Sequence, residues 1–385
     1  MKKFILSVGL LVTASVSLAG PRVIGNGGDA VVCIDSSGNK KVEILDYYEA
    51  RVMRNINIDL GSPSVEIEDK IALALTRLNR VAPWRAQKYR QSVIDFFKRS
   101  MIVHDSALQD IPDSQHVVIP QNCSVQQLVV QRQNAPADEP KFIVNGDIWD
   151  LMDNTQRAGI ILHEVIYQDL LEDGAENSIG TRYFNSKISS GTLSFKTPAE
   201  HFEFFDKVGF KNVDINGMLI GRARFFDNGQ FAQVALVKPF VFTVGKYKLT
   251  SKSADYHKNG TVQHLKAQEE FVAFQGKTVR LETQIWANMG FYDDGSVEFI
   301  HPASPMELRV QGKKIVCSNS GSVLFHPNGG LEGCFVEESF SGKSTGGSRA
   351  SCSQFFGGPF SIPFTPQGLI DLESDKMENC KKTLF

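Results

Sequence analysis

The sequence lacks the features that mark several common protein classes. After Val16, no apolar run approaches the roughly 20 residues that a membrane-spanning helix needs. The 41 Lys and Arg residues against 43 Asp and Glu residues give a formal net charge of −2, so charge does not attract the chain to nucleic acid or to an anionic membrane. We therefore expect no transmembrane segment and no nucleic-acid partner.

Cysteines are few, six in all, and no two of them form a C-x-x-C pair. Zinc knuckles and thioredoxin-like redox chemistry therefore lack support. An even cysteine count favours disulfides in an oxidising compartment. If pairing respects domains, Cys33 bonds to Cys123, and three pairings remain open for the other four cysteines, which are Cys317, Cys334, Cys352 and Cys380.

The first residues have the pattern of an export signal. The basic pair Lys2-Lys3 precedes a mostly apolar run that ends at Val16, and Ser17 and Ala19 supply the small residues of a cleavage point. We expect residues 1–19 to be removed. The mature chain is then expected to be secreted, periplasmic or associated with the cell envelope.

Residues 20–208 are predicted to form a mainly helical domain. Apolar residues recur at helical spacings in the block from Ser62 to Pro83, namely Ile67, Ile71, Leu75 and Leu78. Further helices are expected over Trp84–Val103, from about Thr155 to Glu172, and from the capping box at Thr197–Glu200 to Phe205. The stretch from Asp110 to Pro140 is expected to be irregular. The run from Gly25 to Gly28 has no phosphate-loop context and is interpreted as a flexible lead-in.

After Gly209 the pattern changes to that of β-hairpins. At four places an aromatic residue precedes, and an apolar residue follows, an Asn-Gly or Asp-Gly pair, with the glycines at Gly229, Gly260, Gly295 and Gly329. Such pairs are strong signals for a tight hairpin in which both turn residues have positive φ. Gly-Lys pairs form a second marker, starting at Gly245, Gly276, Gly312 and Gly342.

We therefore predict hairpin repeats over residues 209–338. A Gly/Ser-rich, cysteine-containing segment follows over residues 339–385, and Ser339–Ser351 within it is expected to be a mobile loop. The fold class expected for the whole chain is α+β, with a helical N-terminal domain followed by an antiparallel β-hairpin repeat domain.

The hairpin units resemble the aromatic-x-Asn-Gly repeats of the MORN-like class, from about Ile220 to Glu338. The resemblance implies short antiparallel hairpins stacked into an extended sheet. It also implies a binding or scaffolding surface, because the class has no common reaction.

The first part of the chain resembles an uncharacterised family of exported bacterial proteins, from about Gly25 to Ser190. The matching strings are Gly25–Asp29 (GNGGD), Leu45–Glu49, Ile111–Ser114, and Leu162–Tyr167 (LHEVIY) leading to Arg182–Asn185. The resemblance implies export and brings no known activity.

The string LHEVIY begins like the zinc-peptidase motif HExxH, with Tyr167 at the position of the second histidine. On a helical wheel at about 100° per residue, apolar side chains cover nearly the whole circumference. Neither His163 nor Glu164 then has a polar sector to itself. A glutamate in such surroundings is costly unless it is paired, protonated or bound to a metal, so we expect it to have a partner.

Two interpretations of this helix remain open. In a buried polar cluster, Glu164 accepts hydrogen bonds from Tyr167, from His163, or from an arginine such as Arg157 or Arg182. In a zincin-like site, His163 is a metal ligand, Glu164 is the general base and Tyr167 is a ligand or oxyanion donor. Candidates for the missing metal ligands are Glu200, His201, Glu203, His104 and His116.

We favour an exported, non-catalytic binding or envelope-associated protein without a cofactor, whose hairpin surface contacts a protein or glycan partner. The alternative is a divergent zinc-dependent hydrolase built on His163 and Glu164, acting on peptide or cell-wall material. The sequence leaves open whether the protein is an enzyme.

Overall fold

The computed structural model describes residues 24–25, 28–108, 117–336, 338–353, 360–373 and 380–382. The predicted signal segment 1–19, the string Ile111–Ser114 and His116 lie outside the described residues. Within these described residues, seven helices and 24 strands, nearly all paired antiparallel, confirm the α+β class. No helix in the described part of the chain is long and apolar enough to cross a membrane.

The described residues fall into two compact units. The first contains those within Met1–Leu73 and Tyr89–Ser190, and the second contains those within Ala74–Lys88 and Gly191–Phe385. Helices α2 (Ile67–Asn79) and α3 (Pro83–Arg99) are divided between the two units.

The first unit combines helices with two small sheets. Its other helices are α1 (Leu45–Arg54), α4 (Gly146–Trp149), α5 (Asn154–Glu172) and α6 (Ile179–Ser190). Its strands are β1 (Ile24–Gly25), β2 (Asp29–Ile34), β3 (Lys40–Ile44), β4 (Ser100–Val103), β5 (Cys123–Gln127), β6 (Val129–Arg132) and β7 (Phe142–Asn145). The sheet orders are β3-β2-β5 and β1-β6-β7-β4, in which β4 and β7 are parallel.

The first unit contains strands that the sequence patterns did not indicate. Strands β5 and β6 lie in the stretch that was expected to be irregular, and β4 replaces the end of the helix expected to reach Val103. These strands are four or five residues long. Segments this short give little apolar alternation to detect, and their pairing partners are distant in sequence.

The second unit is built around one large sheet. Its helix is α7 (Pro198–Val208), and its strands are β8 (Val213–Ile215), β9 (Met218–Phe225), β10 (Phe231–Val244), β11 (Tyr247–Tyr256), β12 (Val262–Leu265), β13 (Phe271–Phe274), β14 (Lys277–Arg280), β15 (Met289–Phe291), β16 (Val297–Ile300), β17 (Met306–Val310), β18 (Lys313–Cys317), β19 (Val323–Phe325), β20 (Leu331–Val336), β21 (Phe340–Lys343), β22 (Arg349–Cys352), β23 (Phe360–Pro363) and β24 (Cys380–Lys382).

Twelve of these strands form the large sheet, with the order β17-β18-β20-β19-β16-β15-β12-β11-β10-β9-β8 and with β23 also paired to β20. Two smaller sheets are β13-β14 and β21-β22-β24. The segment Ser339–Ser351, expected to be a mobile loop, instead contains most of the β21-β22 hairpin. Backbone pairing along the two short strands orders this Gly/Ser-rich stretch.

Five turns of this unit that follow an aromatic residue share the same backbone hydrogen bonds. In each of these turns, the residue that follows the aromatic donates its N–H to the carbonyl of the residue four positions later. Its own carbonyl accepts from the N–H of the glycine, and both distances are 2.8–2.9 Å. Four of these turns are the predicted ones, and the fifth is the turn at Thr365–Leu369. The residues that form these bonds are Phe226, His257, Tyr292, His326 and Thr365.

The turn type differs from the predicted one. Only the glycine has positive φ, because the Asn or Asp before it keeps a right-handed backbone and uses its side chain instead. The Oδ1 atom of this residue accepts the backbone N–H two residues on at 2.8–3.1 Å, in Asn228, Asn259, Asp294 and Asn328. A side-chain cap of this kind gives a backbone N–H of the turn a hydrogen-bond acceptor, so the turn does not need a second residue in the left-handed conformation.

Side chains also connect successive turns. The Nε2 atoms of His257 and His326 lie 2.8 Å and 2.7 Å from the carbonyl oxygens of Phe291 and Phe364, so each nitrogen donates. The hydroxyl of Tyr292 donates to the carbonyl of Phe325 at 2.8 Å. The side chains of His257 and His326 are partly buried.

Disulfides fasten both units. Cys33 bonds to Cys123, as predicted, and Cys317 bonds to Cys334. Cys352 is also disulfide-bonded, and its strand pairs in register with the strand that contains Cys380.

The bond between turns at Tyr292 can be tested by removing one hydroxyl. We expect Tyr292→Phe to lower the free energy of unfolding by about 1 kcal/mol, the typical net contribution of a hydrogen bond. Tyr247→Phe is the control, because within the described residues the Tyr247 hydroxyl has no hydrogen-bond partner. Equal urea midpoints for Tyr292→Phe and the unaltered chain would contradict this role.

Candidate functional site

Helix α5 holds the His-Glu pair in the core of the first unit. Its N-terminus is capped by Asp153, whose Oδ1 accepts the N–H of Gln156 at 2.9 Å. Nearly every face of the helix is buried, and His163 and Glu164 are at most 1% exposed. The predicted helix from about Thr155 to Glu172 is confirmed.

His163 forms a buried ion pair with Asp46 of α1. Its Nδ1 atom lies 2.9 Å and 3.0 Å from the two carboxylate oxygens. The side-chain amide of Asn185, on α6, donates to the same carboxylate at 2.7 Å and to the carbonyl of Gly159 at 2.9 Å. Asp46 therefore joins three helices through one carboxylate.

A second buried pair lies one turn further along α1. Oε1 of Glu49 accepts from Nε of Arg182 at 2.8 Å, and Oε2 accepts from Arg54 at 3.1 Å. Arg182 was a suggested partner of Glu164 but pairs with Glu49. Arg157, the other suggested arginine, donates to the carbonyl of Trp149 at 3.2 Å.

Glu164 binds the backbone of Gly28. The N–H of Gly28 donates to Oε1 of Glu164 at 2.7 Å, and the carbonyl of Gly28 accepts from Leu128 and Val129 at 3.0 Å. A Cβ on Gly28 would lie 2.0 Å from Cδ1 of Ile160 and 3.3 Å from Oε1 of Glu164. Gly28 is thus a fixed contact that only glycine fits, and its interpretation as part of a flexible lead-in is wrong.

Burial and pairing set the charges in this cluster. Burial raises the pKa of Glu164 to about 7, because the nearby His163 and the Gly28 N–H only partly replace lost water. Burial alone would lower the pKa of His163, but the Asp46 carboxylate outweighs it and raises that pKa to about 9. Burial would likewise raise the pKa of Asp46, but His163 holds it below its usual value. Near pH 7, therefore, Asp46 and His163 are both charged while Glu164 is partly protonated.

Two atoms of the cluster are buried without a hydrogen-bond partner among the described residues: Nε2 of His163 and Oε2 of Glu164. An imidazole held by a carboxylate at Nδ1 presents Nε2, the arrangement that metal-ligating histidines use. The ring of Tyr167 is also buried, with its centroid 6.0 Å from that of His163. Within the described ranges, however, no group of three His, Cys, Asp or Glu residues could hold a metal.

The other suggested ligands have local roles. Glu200 accepts the N–H of Lys196 at 2.8 Å at the start of α7. His201 stacks on Phe195 with centroids 4.3 Å apart, and burial lowers its pKa to about 4 with a further contribution from the charge of Arg85. Glu203 is exposed, and His104 lies 3.3 Å from Asp147 with its side chain 52% exposed.

The chain contains the string Gly-x-Ser-x-Gly at Gly342–Gly346, which in some hydrolases marks a nucleophilic serine. Here it lies at the end of β21 and in the following turn, where Ser344 is buried and its Oγ donates to the carbonyl of Ser348 at 2.8 Å. The strand-to-helix elbow that exposes such a serine is absent at this position, so the string carries no catalytic signal.

A second candidate site lies on the large sheet. A cleft of about 640 Å³ is lined by α7, β9, β10 and β11, including Lys211, Arg222, Arg224, Gln233 and Ser253. A hollow of about 150 Å³ continues from Gln233 and Ser253 to Asp255, His264 and Trp286. Because the two share Gln233 and Ser253, they form one continuous depression, which we call the sheet groove.

Strand register explains how the sheet groove is assembled. Arg224 pairs with Gln233, Gln233 with Asp255, and Asp255 with His264. Residues paired across antiparallel strands project from the same face, so these four side chains form a row of roughly 14 Å at the usual strand spacing. A second row contains Arg222, Ala235 and Ser253.

The two ends of the groove differ chemically. Arg222 and Arg224 are exposed at one end, and neither has a hydrogen-bond or ion-pair partner in the described part of the chain. In the middle, Gln233 donates to Asp255 at 2.8 Å, and His264 lies 3.6 Å from the same carboxylate. At the other end, Trp286 is 68% exposed and sits edge-on to His264, with centroids 5.4 Å apart.

These groove residues were not singled out from the sequence. The exposed arginines alternate with smaller residues along β9, which is a visible signal. The groove residues of strands β9 to β12, however, meet only through pairing between positions 9 to 22 residues apart. Without the register, no pattern connects Arg224 with Trp286.

The chain matches no protein-family model, no curated protein and no solved structure. Function is therefore inferred from the contacts within the chain itself.

Glu164 makes stability depend on pH. The unfolded chain loses this proton near pH 4.5 and the folded chain near pH 7, so the folded state binds more protons in this window and becomes less stable as pH rises through it. We expect stability to fall by on the order of 2–3 kcal/mol between about pH 5 and about pH 8 relative to Glu164→Gln, which keeps the acceptor for Gly28 but cannot ionise.

The free energy of unfolding is measured by urea denaturation of the unaltered chain and of Glu164→Gln at several values of pH between about 5 and about 8. Glu68→Gln, at an exposed position of α2, is the matched control and is expected to run parallel to the unaltered chain. If the free energy of unfolding of Glu164→Gln changed with pH in parallel with that of the unaltered chain, the raised pKa assigned to the buried Glu164 carboxyl would be contradicted.

Proposed function

We propose that the chain is an exported, non-catalytic binding protein that attaches to a protein or glycan partner of the cell envelope through the sheet groove. The observation that carries this proposal is the groove itself. It is a continuous exposed depression with unpaired arginines at one end, an exposed tryptophan at the other and a polar row between them. Exposed Trp and Arg side chains are the residues that contribute most to binding interfaces.

The turns support a scaffold for such a surface. Five turns with the same two backbone bonds are compatible with MORN-like units, and we propose that these units repeat along the sheet. The disulfides are compatible with an extracytoplasmic location, since such bonds persist in oxidising compartments. Residues 1–19 remain our proposed export signal.

Filling the groove tests this function. Ala235 is exposed in the second row, between Arg222 and Ser253, so Ala235→Trp would occupy the cleft. We expect the variant to bind isolated bacterial envelope fragments at least about tenfold more weakly, as for loss of a central hot spot, in co-sedimentation with the purified mature chain.

Val241→Trp is the matched control, because Val241 lies on the same strand, is 53% exposed and does not line the groove. Circular dichroism checks that both variants fold. Equal co-sedimentation of Ala235→Trp and Val241→Trp would contradict binding through the groove.

A second function, a divergent zinc-dependent hydrolase, is favoured by one observation: the buried, unpartnered Nε2 of His163 with Nδ1 held by Asp46. The described residues do not complete a site, because a zinc ion needs at least three protein ligands, so no reaction step is assigned. Elemental analysis of the purified chain decides between the two. Stoichiometric zinc that is lost in His163→Gln would support the hydrolase, and a metal-free chain would contradict it.

A further inference from the structure

The sheet groove carries a local charge opposite to that of the chain. Its lining contains three basic residues, Lys211, Arg222 and Arg224, all in the cleft beside α7, and two acidic ones, Asp206 and Asp255. The chain as a whole has a net charge of −2. A basic depression on a slightly acidic protein favours an anionic ligand at this place.

The two arginines suit carboxylate groups in particular. Arg222 and Arg224 are two positions apart on β9, so both side chains lie on one face, roughly 7 Å apart at the strand rise. A guanidinium binds a carboxylate through two parallel hydrogen bonds. Two such sites at this spacing fit a ligand with repeated carboxylates better than a single small anion.

The middle of the groove is polar and suits hydroxyl groups. The side chains of Gln233, Ser253 and Asp255 together offer both hydrogen-bond donors and acceptors. A polyhydroxylated chain can satisfy these groups along its length.

The far end offers an aromatic platform. The Trp286 ring meets His264 by its edge, at an interplanar angle of 86°, and His264 in turn contacts Phe299 with centroids 5.5 Å apart. Since Trp286 is 68% exposed, a face of the indole is open to a ligand. The electron-rich face of an aromatic ring attracts the partially positive C–H groups on the flat side of a sugar ring.

We propose that the sheet groove binds an acidic polysaccharide, with carboxylates of successive sugars on Arg222 and Arg224 and a sugar ring stacked on Trp286. This inference rests on the proposed binding function and names the class of its partner. Stacking orients the chain, and the arginines select for charge.

The test measures binding of the full mature chain to an oligogalacturonate and to its methyl-esterified form by isothermal titration calorimetry. The acid form has the carboxylates, and the ester keeps the rings without the charge. We expect the acid form to bind at least about tenfold more tightly, because hydrogen bonds between charged partners are the stronger ones. Added salt should weaken this binding.

Two variants assign the ends of the groove. Arg222→Gln combined with Arg224→Gln should lower affinity for the acid form at least about tenfold and remove the preference over the ester. Trp286→Ala should lower affinity for both forms by about tenfold, as for an aromatic anchor. The charge-matched control is Arg309→Gln with Arg349→Gln, both exposed outside the groove, and the aromatic control is Phe271→Ala, which is 55% exposed.

The possible outcomes separate this inference from the function on which it rests. Failure of the unaltered chain to bind the acid form, equal binding of acid and ester, or unchanged binding by both groove variants would overturn it. Suppose instead that Ala235→Trp abolished attachment to envelope fragments and that protease treatment of the fragments also abolished it. The partner would then be a protein, so the proposed binding function would stand and only the polysaccharide inference would fail.

Discussion

The second unit depends on one backbone constraint, a single left-handed residue in each of five turns, four of which join neighbouring strands of the large sheet. Glycine occupies this position at φ values of 75–89°, where other residues are strained. The fixed glycine sets the turn, and the turn sets the strand register, since a slip of one residue would move every side chain to the opposite face. In the row from Arg224 to His264, the Arg224–Gln233 and Asp255–His264 pairings lie across the Gly229 and Gly260 turns, and the Gln233–Asp255 pairing lies across the β10–β11 turn at Gly245.

The first unit is organised by a different principle. Its core contains ionisable groups, and three of them have a specific partner: Asp46 pairs with His163, Glu49 pairs with Arg182, and Glu164 accepts from the backbone of Gly28. Breaking such buried pairs is costly because it leaves an uncompensated charge. The same contacts explain why a helix that begins like a zinc-peptidase motif can serve as a packing element, with polar groups that determine how α1, α5 and α6 meet.

Features governed by local sequence were predictable. The buried α5 helix, the capped α7 helix and the four turn glycines all follow from short patterns. The Cys33–Cys123 bond was predictable for another reason, since these are the two cysteines of the first half of the chain. The partners of buried groups were not, because Asp46 lies 117 residues from His163, and Gly28 lies 136 residues from Glu164. Short strands such as β5 were missed for a related reason, since their stability comes from pairing with a distant strand. The sheet groove was inaccessible from sequence because it exists only once register is fixed.

The most direct measurement of the binding surface is hydroxyl-radical footprinting of the unaltered mature chain, with and without isolated envelope fragments. Trp286 reports on the groove, and Phe271 reports on exposed surface elsewhere in the same unit. Binding through the groove predicts that the fragments protect Trp286 from oxidation while Phe271 reacts as before. Equal oxidation of Trp286 in both samples, while the chain is bound to the fragments, would contradict it.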